Sequence, residues 1–299
     1  MPTIDKLHVD KVLSDISVQY KNSAYVADQL FPKLSVKNMS DKYFVFSRDF
    51  KLPETIRAVG GKSREADFDL STASYVLKKH ALKTYISDDE VSNYDIGTLK
   101  ADATEYLTDK IALRKEIDAV ALLDATGTWS LQHSLAVAWT TNTTTSDPLP
   151  SINTILATIV SYCGAQPNFL GISHKCYLGL KSHVSILDRI KYTSKEVTLE
   201  MLKGLFDIPE IVVSQAVYDS ATDLTESMAS VWGTFAFAGF KPARPAPKTV
   251  SFAYRFEKSV PLVKTWRDEE RESEAVEVNA QYGMKVVASL AGYLIKGAG

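Results

Sequence analysis

The sequence contains little cysteine and no long apolar run, and both absences restrict what the protein can be. Only two of the 299 residues are cysteine, Cys163 and Cys176; this excludes a disulfide framework and favours a reducing compartment. No segment reaches the roughly 20 apolar residues needed to span a bilayer. Residues 1–12 contain no apolar core of signal-peptide length. We therefore expect a soluble protein made inside the cell.

An excess of charge of one sign is also absent. The formal net charge is −2, with 34 basic and 36 acidic residues. The chain therefore lacks the positive charge needed to coat a nucleic acid. Its hydrophobic fraction of 45% and charged fraction of 23% are typical of a globular protein with ample material for a core. A chain of this length forms one large domain or two ordinary ones.

No segment of the sequence matches a recurring catalytic, phosphate-binding or metal-binding motif. The run Gly60-Gly61-Lys62-Ser63 has Ile56 where a phosphate-binding loop needs its first glycine, so we interpret it as a turn. A metal-dependent enzyme built on Cys163, Cys176 and His174 is a minor alternative because their spacing, even with His183 added, matches no recurring zinc pattern. The charged run from residue 267 to 274 is interpreted as a solvated loop or an inter-subunit ion-pair contact. We expect no enzyme, no cofactor and no metal.

The strongest secondary-structure signal is the proline-free stretch 97–125, which predicts one helix roughly 40 Å long. Its apolar face is predicted from residues spaced three and four apart: Leu99, Ala103, Tyr106, Leu113, Ile117, Val120 and Ala121.

A long β-hairpin is predicted before this helix. Lys42–Phe46 and Thr72–Ile86 are its strands, and its tip lies near residues 52–66. Neither face of the second strand is cleanly apolar, and an isolated two-stranded ribbon is marginal in water. We therefore expect neighbouring subunits to contact the hairpin on both sides.

Local signals predict the remaining elements. The chain near Ile4–Ser14 is a candidate helix, Val26–Pro32 is predicted to be extended, and Ser87–Glu90 has the spacing of a capping box. Further helices are predicted after a cap at Ser151 and over 174–183 and 198–206. Strands are predicted over 169–173, 211–214, 231–237, 251–256, 260–266 and 276–284. Residues 241–248 are interpreted as a proline-rich linker or extended edge, and residues 292–295 are apolar enough to be packed. Helices alternating with short apolar strands indicate an α/β unit after residue 150.

Several segments, taken in order, resemble the major capsid proteins of tailed bacteriophages. Val26–Pro32 with Leu34–Val36 resembles that family's arm signature, and Phe46–Phe50 the start of its long hairpin. The later landmarks that resemble the family are Tyr75–Leu82, Ile86–Glu90, Leu113–Glu116, Val231–Gly233, Trp266–Glu269 and Gly292–Ile295.

The resemblance implies an α+β fold of the phage major capsid type. Its parts would be an N-terminal arm (1–41), an extended loop (42–90), a peripheral domain (91–150 and 251–288) with a spine helix (97–125), and an axial domain (151–250 and 289–299). The implied function is self-assembly into hexamers and pentamers of an icosahedral head that encloses double-stranded DNA without sequence-specific binding.

The resemblance also implies partners and contact residues. No scaffold-type coiled coil precedes the arm, so a separate scaffolding protein is expected, with a decoration protein and a portal as further partners. The expected location is the virion capsid, assembled in the host cytoplasm. The alternative is an encapsulin-like shell that holds cargo protein. The candidate inter-subunit contacts are Arg48, Arg57, Lys62, Arg64, Arg267, Asp268, Glu269 and Glu270.

Overall fold

The computed structural model describes residues 22, 25–46, 50, 52, 55–57, 59–63, 65–66, 70–92, 99–191, 196–221, 225–245, 249–258 and 262–299. Its α-helices are α1 (Ala27–Leu30), α2 (Asp88–Ser92), α3 (Leu99–Leu123), α4 (Pro148–Cys163), α5 (His174–Ser182), α6 (Val184–Ile190) and α7 (Leu199–Phe206). Its strands are β1 (Lys33–Ser35), β2 (Ser40–Phe46), β3 (Leu70–Val76), β4 (Lys78–Ser87), β5 (Gln132–Ser134), β6 (Phe169–Ser173), β7 (Glu210–Ser214), β8 (Val217–Asp219), β9 (Met228–Ser230), β10 (Ala236–Gly239), β11 (Ala253–Glu257), β12 (Leu262–Asp268), β13 (Ser273–Val286) and β14 (Gly292–Lys296).

The first of two five-stranded sheets is built around β13. This strand pairs with β12 and then β11 along one edge and with β4 along the other, and β1 joins β11 in parallel. Along β13, Val276, Val278 and Ala280 are buried at a spacing of two. That alternation is the pattern from which a strand was predicted over 276–284.

The second sheet has the strand order β5-β14-β10-β6-β7 and is covered on both faces. Along β6, Leu170 and Ile172 pack in one apolar cluster with residues of α4 to α7. Phe169 packs in a second cluster that includes residues of α1 and α3. The parallel pair β6 and β7 is joined through α5, α6 and α7, as parallel strands require a crossover connection.

Helix α3 connects the two sheets. Near its start, Leu107 and Ile111 pack against Val276 and Val278 of the first sheet. Near its end, Ala119 and Leu123 join the cluster that includes Phe169 of the second sheet. At 25 residues the helix is about 37 Å long, enough to hold both sheets in a fixed relation.

The predicted apolar face of this helix is partly wrong. Tyr106 is 53% exposed, whereas Leu107 and Ile111, which the prediction omitted, are buried. The buried residues of α3 are Leu107, Ile111, Glu116, Ala119 and Leu123, because the helix packs on the first sheet with its first half and on the second sheet with its end.

The predicted strand Thr72–Ile86 is two strands. β3 pairs with β2 in a two-stranded ribbon, whereas β4 pairs with β13 in the first sheet. The break lies at Leu77, whose N–H donates to the Met39 carbonyl and whose side chain is buried. The chain therefore leaves the ribbon and enters the sheet at this residue, an exchange of partners that no local pattern indicates.

Two predictions at helix starts are corrected and one is confirmed. Val26–Pro32 is not extended throughout, because Ala27–Leu30 forms one helical turn. Helix α4 begins at Pro148 and not at a Ser151 cap, since the Asp147 side chain accepts from the Leu149 N–H. The capping box is confirmed: the Ser87 N–H donates to Glu90 Oε2 over 3.1 Å, and the Glu90 N–H donates to Ser87 Oγ over 3.2 Å.

The strand predicted over 231–237 is misplaced. Residues 231–234 form a turn between β9 and β10, with Gly233 at φ +55°, a conformation that favours glycine. The candidate helix at 4–14 lies outside the described residues, as do Gly97 and residues 246–248 of the predicted linker.

Candidate functional site

The hairpin carries the most exposed apolar surface of the described chain. In β2, Phe44 is 67% exposed, and Val76 at the end of β3 is 65% exposed. Towards the tip, Leu52 is 88% exposed and Val59 is fully exposed. Burying such side chains is favourable by roughly 1.5–3 kcal/mol each, so this surface is suited to a partner.

The base of the hairpin is fixed to the first sheet by aromatic packing. The rings of Tyr75 and Phe256 stack with their centroids 4.6 Å apart and their planes 6° apart. Tyr43 lies against the same Phe256 ring at 5.8 Å. The hairpin therefore leaves the body from a rigid base.

A second exposed surface is the edge strand β12. Among the described strands it pairs only with β13, so its other edge is open. Leu262 is 52% exposed, Val263 44% and Trp266 39%. Because neighbouring side chains of a strand point to opposite faces, Leu262 and Val263 place exposed apolar groups on both faces of β12. An edge strand with apolar groups on both faces is a typical site of association.

Four of the candidate contact residues lie where this strand ends: Arg267 and Asp268 are its last residues, and Glu269 and Glu270 begin the turn that follows. Both terminal nitrogens of Arg267 bind the Asp88 carboxylate, at 2.5 and 2.7 Å. This bond lowers the pKa of Asp88 below its usual value and raises that of Arg267. Asp268 Oδ2 lies 3.9 Å from Arg271, and Glu269 Oε2 lies 3.7 Å from Arg267.

The other candidates are divided between described and undescribed positions. Glu270 is exposed on the short 3-10 turn Glu269–Arg271. At the hairpin tip, the Arg57 side chain donates to the Gly61 carbonyl at 2.5 Å, and Lys62 is exposed. Arg48 and Arg64 lie outside the described residues.

Two shallow grooves flank the C-terminal half of α3, with volumes of about 290 and 330 Å³. The larger contains His80, whose ring stacks on Tyr282 with the centroids 4.4 Å apart. Tyr282 donates to Asp118 Oδ2 over 3.0 Å. Burial lowers the pKa of His80 and raises that of Tyr282. His80, Tyr282 and Asp118 therefore form one polar cluster that joins β4 and β13 to α3.

The chain segment before β1, residues 25–31, which we call the strap, crosses α3. Tyr25 donates to Asp109 Oδ1 over 2.8 Å, and burial raises the pKa of this phenol to about 12. Further along, Lys115 lies 3.0 Å from Asp28 Oδ1. Leu30 and Phe31 are fully buried, so the strap is an integral part of the core.

Sequence reasoning missed the residue that holds the strap, Glu116 of α3. Its carboxylate is fully buried and accepts from the N–H groups of Val26 and Ala27. The available signal was its spacing: Glu116, Ala119 and Leu123 fall on one helix face, and both of its companions are buried.

The structure does not bring the rejected motifs together as sites. His183 is buried and hydrogen-bonded to Ser146 at 3.1 Å, while Cys176 is buried against Ser173. Within the described ranges, no three or more His, Cys, Asp or Glu side chains are arranged to hold a metal ion. Gly60, at φ +78°, lies in a turn. None of the described helices is both long enough and apolar enough to cross a membrane.

Comparison with known proteins gives relatives along the whole length of the chain. The major capsid protein of Burkholderia phage BcepMu is 27% identical over 308 aligned positions, which cover 99% of each sequence. A phage-related protein from Bordetella bronchiseptica RB50 has the same fold, with a TM-score of 0.74, 26% identity and 97% of each chain covered. The capsid of phage XM1 gives a TM-score of 0.64 at 12% identity, covering 99% of this chain and 98% of that one. No family model matches the chain.

These findings confirm the resemblance to phage major capsid proteins and the predicted α+β fold of that type. The division into arm, extended loop, peripheral domain and axial domain remains a prediction, as does the role of the eight candidate contact residues.

Proposed function

We propose that this chain is the major coat protein of a tailed bacteriophage, and that many copies assemble into the head shell around the DNA. The main support for this proposal is the combination of a full-length capsid relative with the exposed apolar surfaces on the hairpin and on β12. A two-stranded ribbon with this much apolar surface is marginal alone, so neighbouring copies are its natural support. The role is structural, and the location is the virion capsid.

The mechanism is association of copies in hexamers and pentamers. We propose that residues 42–90 extend over a neighbouring subunit, and that the charged groups at the hairpin tip and in the turn at 267–270 set the register. Arg57 and Lys62 are basic, whereas Asp268, Glu269 and Glu270 are acidic, so the two groups are complementary in sign. A formal charge of −2 fits a shell that encloses DNA without neutralising it.

Partners beyond further copies are also proposals. A separate scaffolding protein, a decoration protein and a portal complete the expected set, and assembly takes place in the host cytoplasm. An encapsulin-like compartment is not favoured by the capsid relatives, and the particle contents distinguish the two: nucleic acid for a head, an enzyme for a compartment.

The test is electron microscopy and size-exclusion chromatography of the full chain, expressed alone and with the scaffolding protein of the same phage. Closed shells of uniform diameter are expected in one of the two conditions. The charge-reversal pair Arg57→Glu/Lys62→Glu should reduce shell yield, whereas Lys175→Glu/Lys181→Glu, with the same charge change on exposed positions of α5, should not. Small monodisperse oligomers in every condition would exclude a shell.

A further inference from the structure

The carboxylate of Glu116 is fully buried in the core of the subunit. Within the part of the chain that the structure describes, it takes part in no ion pair, and burial raises the pKa of its carboxyl group. A buried acidic group is costly unless hydrogen bonds compensate its charge. The buried charge of Glu116 therefore requires compensation, and its hydrogen-bond donors provide it.

Four donors from three separate regions converge on this carboxylate. Oε2 accepts from the N–H of Val26 at 3.0 Å and from that of Ala27 at 2.8 Å. Oε1 accepts from the indole Nε1 of Trp232 at 2.7 Å and from Ser214 Oγ at 3.4 Å. The donors therefore come from the strap, from the end of β7 and from the turn before β10.

The partners favour a carboxylate over any neutral side chain. The two backbone amides and the indole donate and cannot accept. A glutamine would turn its amide nitrogen towards either the strap amides or Trp232, placing donor against donor. Because only an acceptor at both positions satisfies the site, Glu116 links the strap, α3 and the second sheet at one point.

The other polar attachments of the strap to α3, and those of Asn22 before it, are more exposed. Asp28 is an exposed partner of Lys115, and Tyr25 is only half-buried where it contacts Asp109. Asn22 forms two exposed hydrogen bonds with the backbone of Val217, each of 3.0 Å. Exposed contacts contribute little to fixing a segment, so the buried carboxylate, the largely buried Arg255 that pairs with Asp28 and the apolar side chains hold the strap in place.

We propose that Glu116 is a positioning residue that fixes the strap against α3 and the second sheet, in the arrangement that a neighbouring copy meets in the shell. The inference rests on the proposed shell function. Glu116 is the one fully buried polar attachment of the strap to α3 among the described residues; without it, the segment before Leu30 loses its buried anchor.

The test uses hydrogen exchange of the unassembled full chain together with electron microscopy of its particles. Glu116→Gln is compared with Leu107→Ala, which removes buried volume from the same helix away from the strap. We expect exchange at Val26 and Ala27 to be about tenfold or more faster in Glu116→Gln than in Leu107→Ala. The particles of the glutamine variant should also be fewer and less uniform in diameter.

Ser214→Ala provides a milder variant if Glu116→Gln does not fold. It removes one donor from the carboxylate, and we expect a smaller acceleration of exchange at the same two amides. Hydrogen exchange of the Val26 and Ala27 amides in Glu116→Gln that is no faster than in Leu107→Ala would overturn the proposal. So would faster exchange at these amides together with particles of normal yield and diameter. If the wild-type chain forms no shells in any condition, the shell function fails, and the positioning role fails with it. The exchange data still decide whether Glu116 holds the strap.

Discussion

The carbonyl oxygen of Val76 lies so close to the α-carbon of Gly283 that a side chain at position 283 would overlap it. Here the chain leaves the hairpin ribbon and passes over β13 into the first sheet. We expect Gly283→Ala to destabilise the subunit by about 2–4 kcal/mol, because the new methyl group would overlap a backbone carbonyl, which cannot rotate away as a side chain can. Urea unfolding of the unassembled subunit measures this.

Gly204 provides the matched control for this substitution. It lies within α7, and a β-carbon there meets nothing within 4 Å. Gly204→Ala is expected to stabilise by about 0.5–1 kcal/mol through helix propensity. Equal effects of the two substitutions would show that the close approach at Gly283 is not a constraint.

A second prediction concerns the pH dependence of stability that arises from Glu116. Burial raises the pKa of its carboxyl group above the ordinary 4.5, so the folded chain binds this proton more tightly than the unfolded chain does. The stabilisation that comes from binding this proton is therefore complete below about pH 4.5 and is lost as the pH rises through the folded pKa. The free energy of unfolding of wild type minus that of Glu116→Gln should fall with rising pH and then level off.

The subtraction is needed because His80 acts in the opposite sense. Burial lowers the pKa of His80 below the ordinary 6.5, so its contribution is present above that pH and is lost as the pH falls through the folded value. Since both chains contain His80, its effect cancels. A difference that rises with pH would contradict the assignment to Glu116.

A third prediction contrasts a buried arginine with an exposed one. The Arg255 side chain is 8% exposed and forms ion pairs with Asp28 and with Glu257, the latter at 2.8 Å. Arg255→Ala should cost about 2–4 kcal/mol, since it leaves the buried Glu257 with less compensation. Arg267→Ala, at an exposed ion pair, should leave the unfolding transition unchanged within error.

The same two variants also separate stability from assembly. If the turn at 267–270 contacts a neighbouring copy, Arg267→Ala reduces shell yield although the subunit remains as stable as wild type. Normal shells from Arg267→Ala would remove this residue from the candidate contacts.

Sequence patterns predicted the elements that are determined by residues close together in the chain. The capping box at Ser87 and Glu90 spans four residues, and the end of α4 follows from Gly164 in the left-handed conformation. The strand Phe169–Ser173 was predicted with its observed bounds, because a short apolar run has few alternatives. In each case the partners that decide the structure lie within a few positions of one another.

The elements that the sequence did not predict depend on distant partners. The turn of α1 forms where the Val26 and Ala27 amides meet Glu116, 90 and 89 residues away. The break at Leu77 depends on the exchange of partners from β2 to β13. No window along the chain contains both members of such a pair, so neither the strap nor its anchor was predicted as a site.

The last prediction tests the hairpin surface directly. Leu52 and Val59 are exposed in the single subunit, so Leu52→Ser/Val59→Ser should change its stability by less than about 0.5 kcal/mol. If neighbouring copies bury these side chains, the double variant loses apolar contacts only on assembly, and shell yield falls. The control Leu178→Ser/Leu187→Ser replaces half-exposed leucines on α5 and α6 and should form shells at the wild-type yield. A shell yield of Leu52→Ser/Val59→Ser as high as those of wild type and of the control would show that the hairpin surface is not buried between copies.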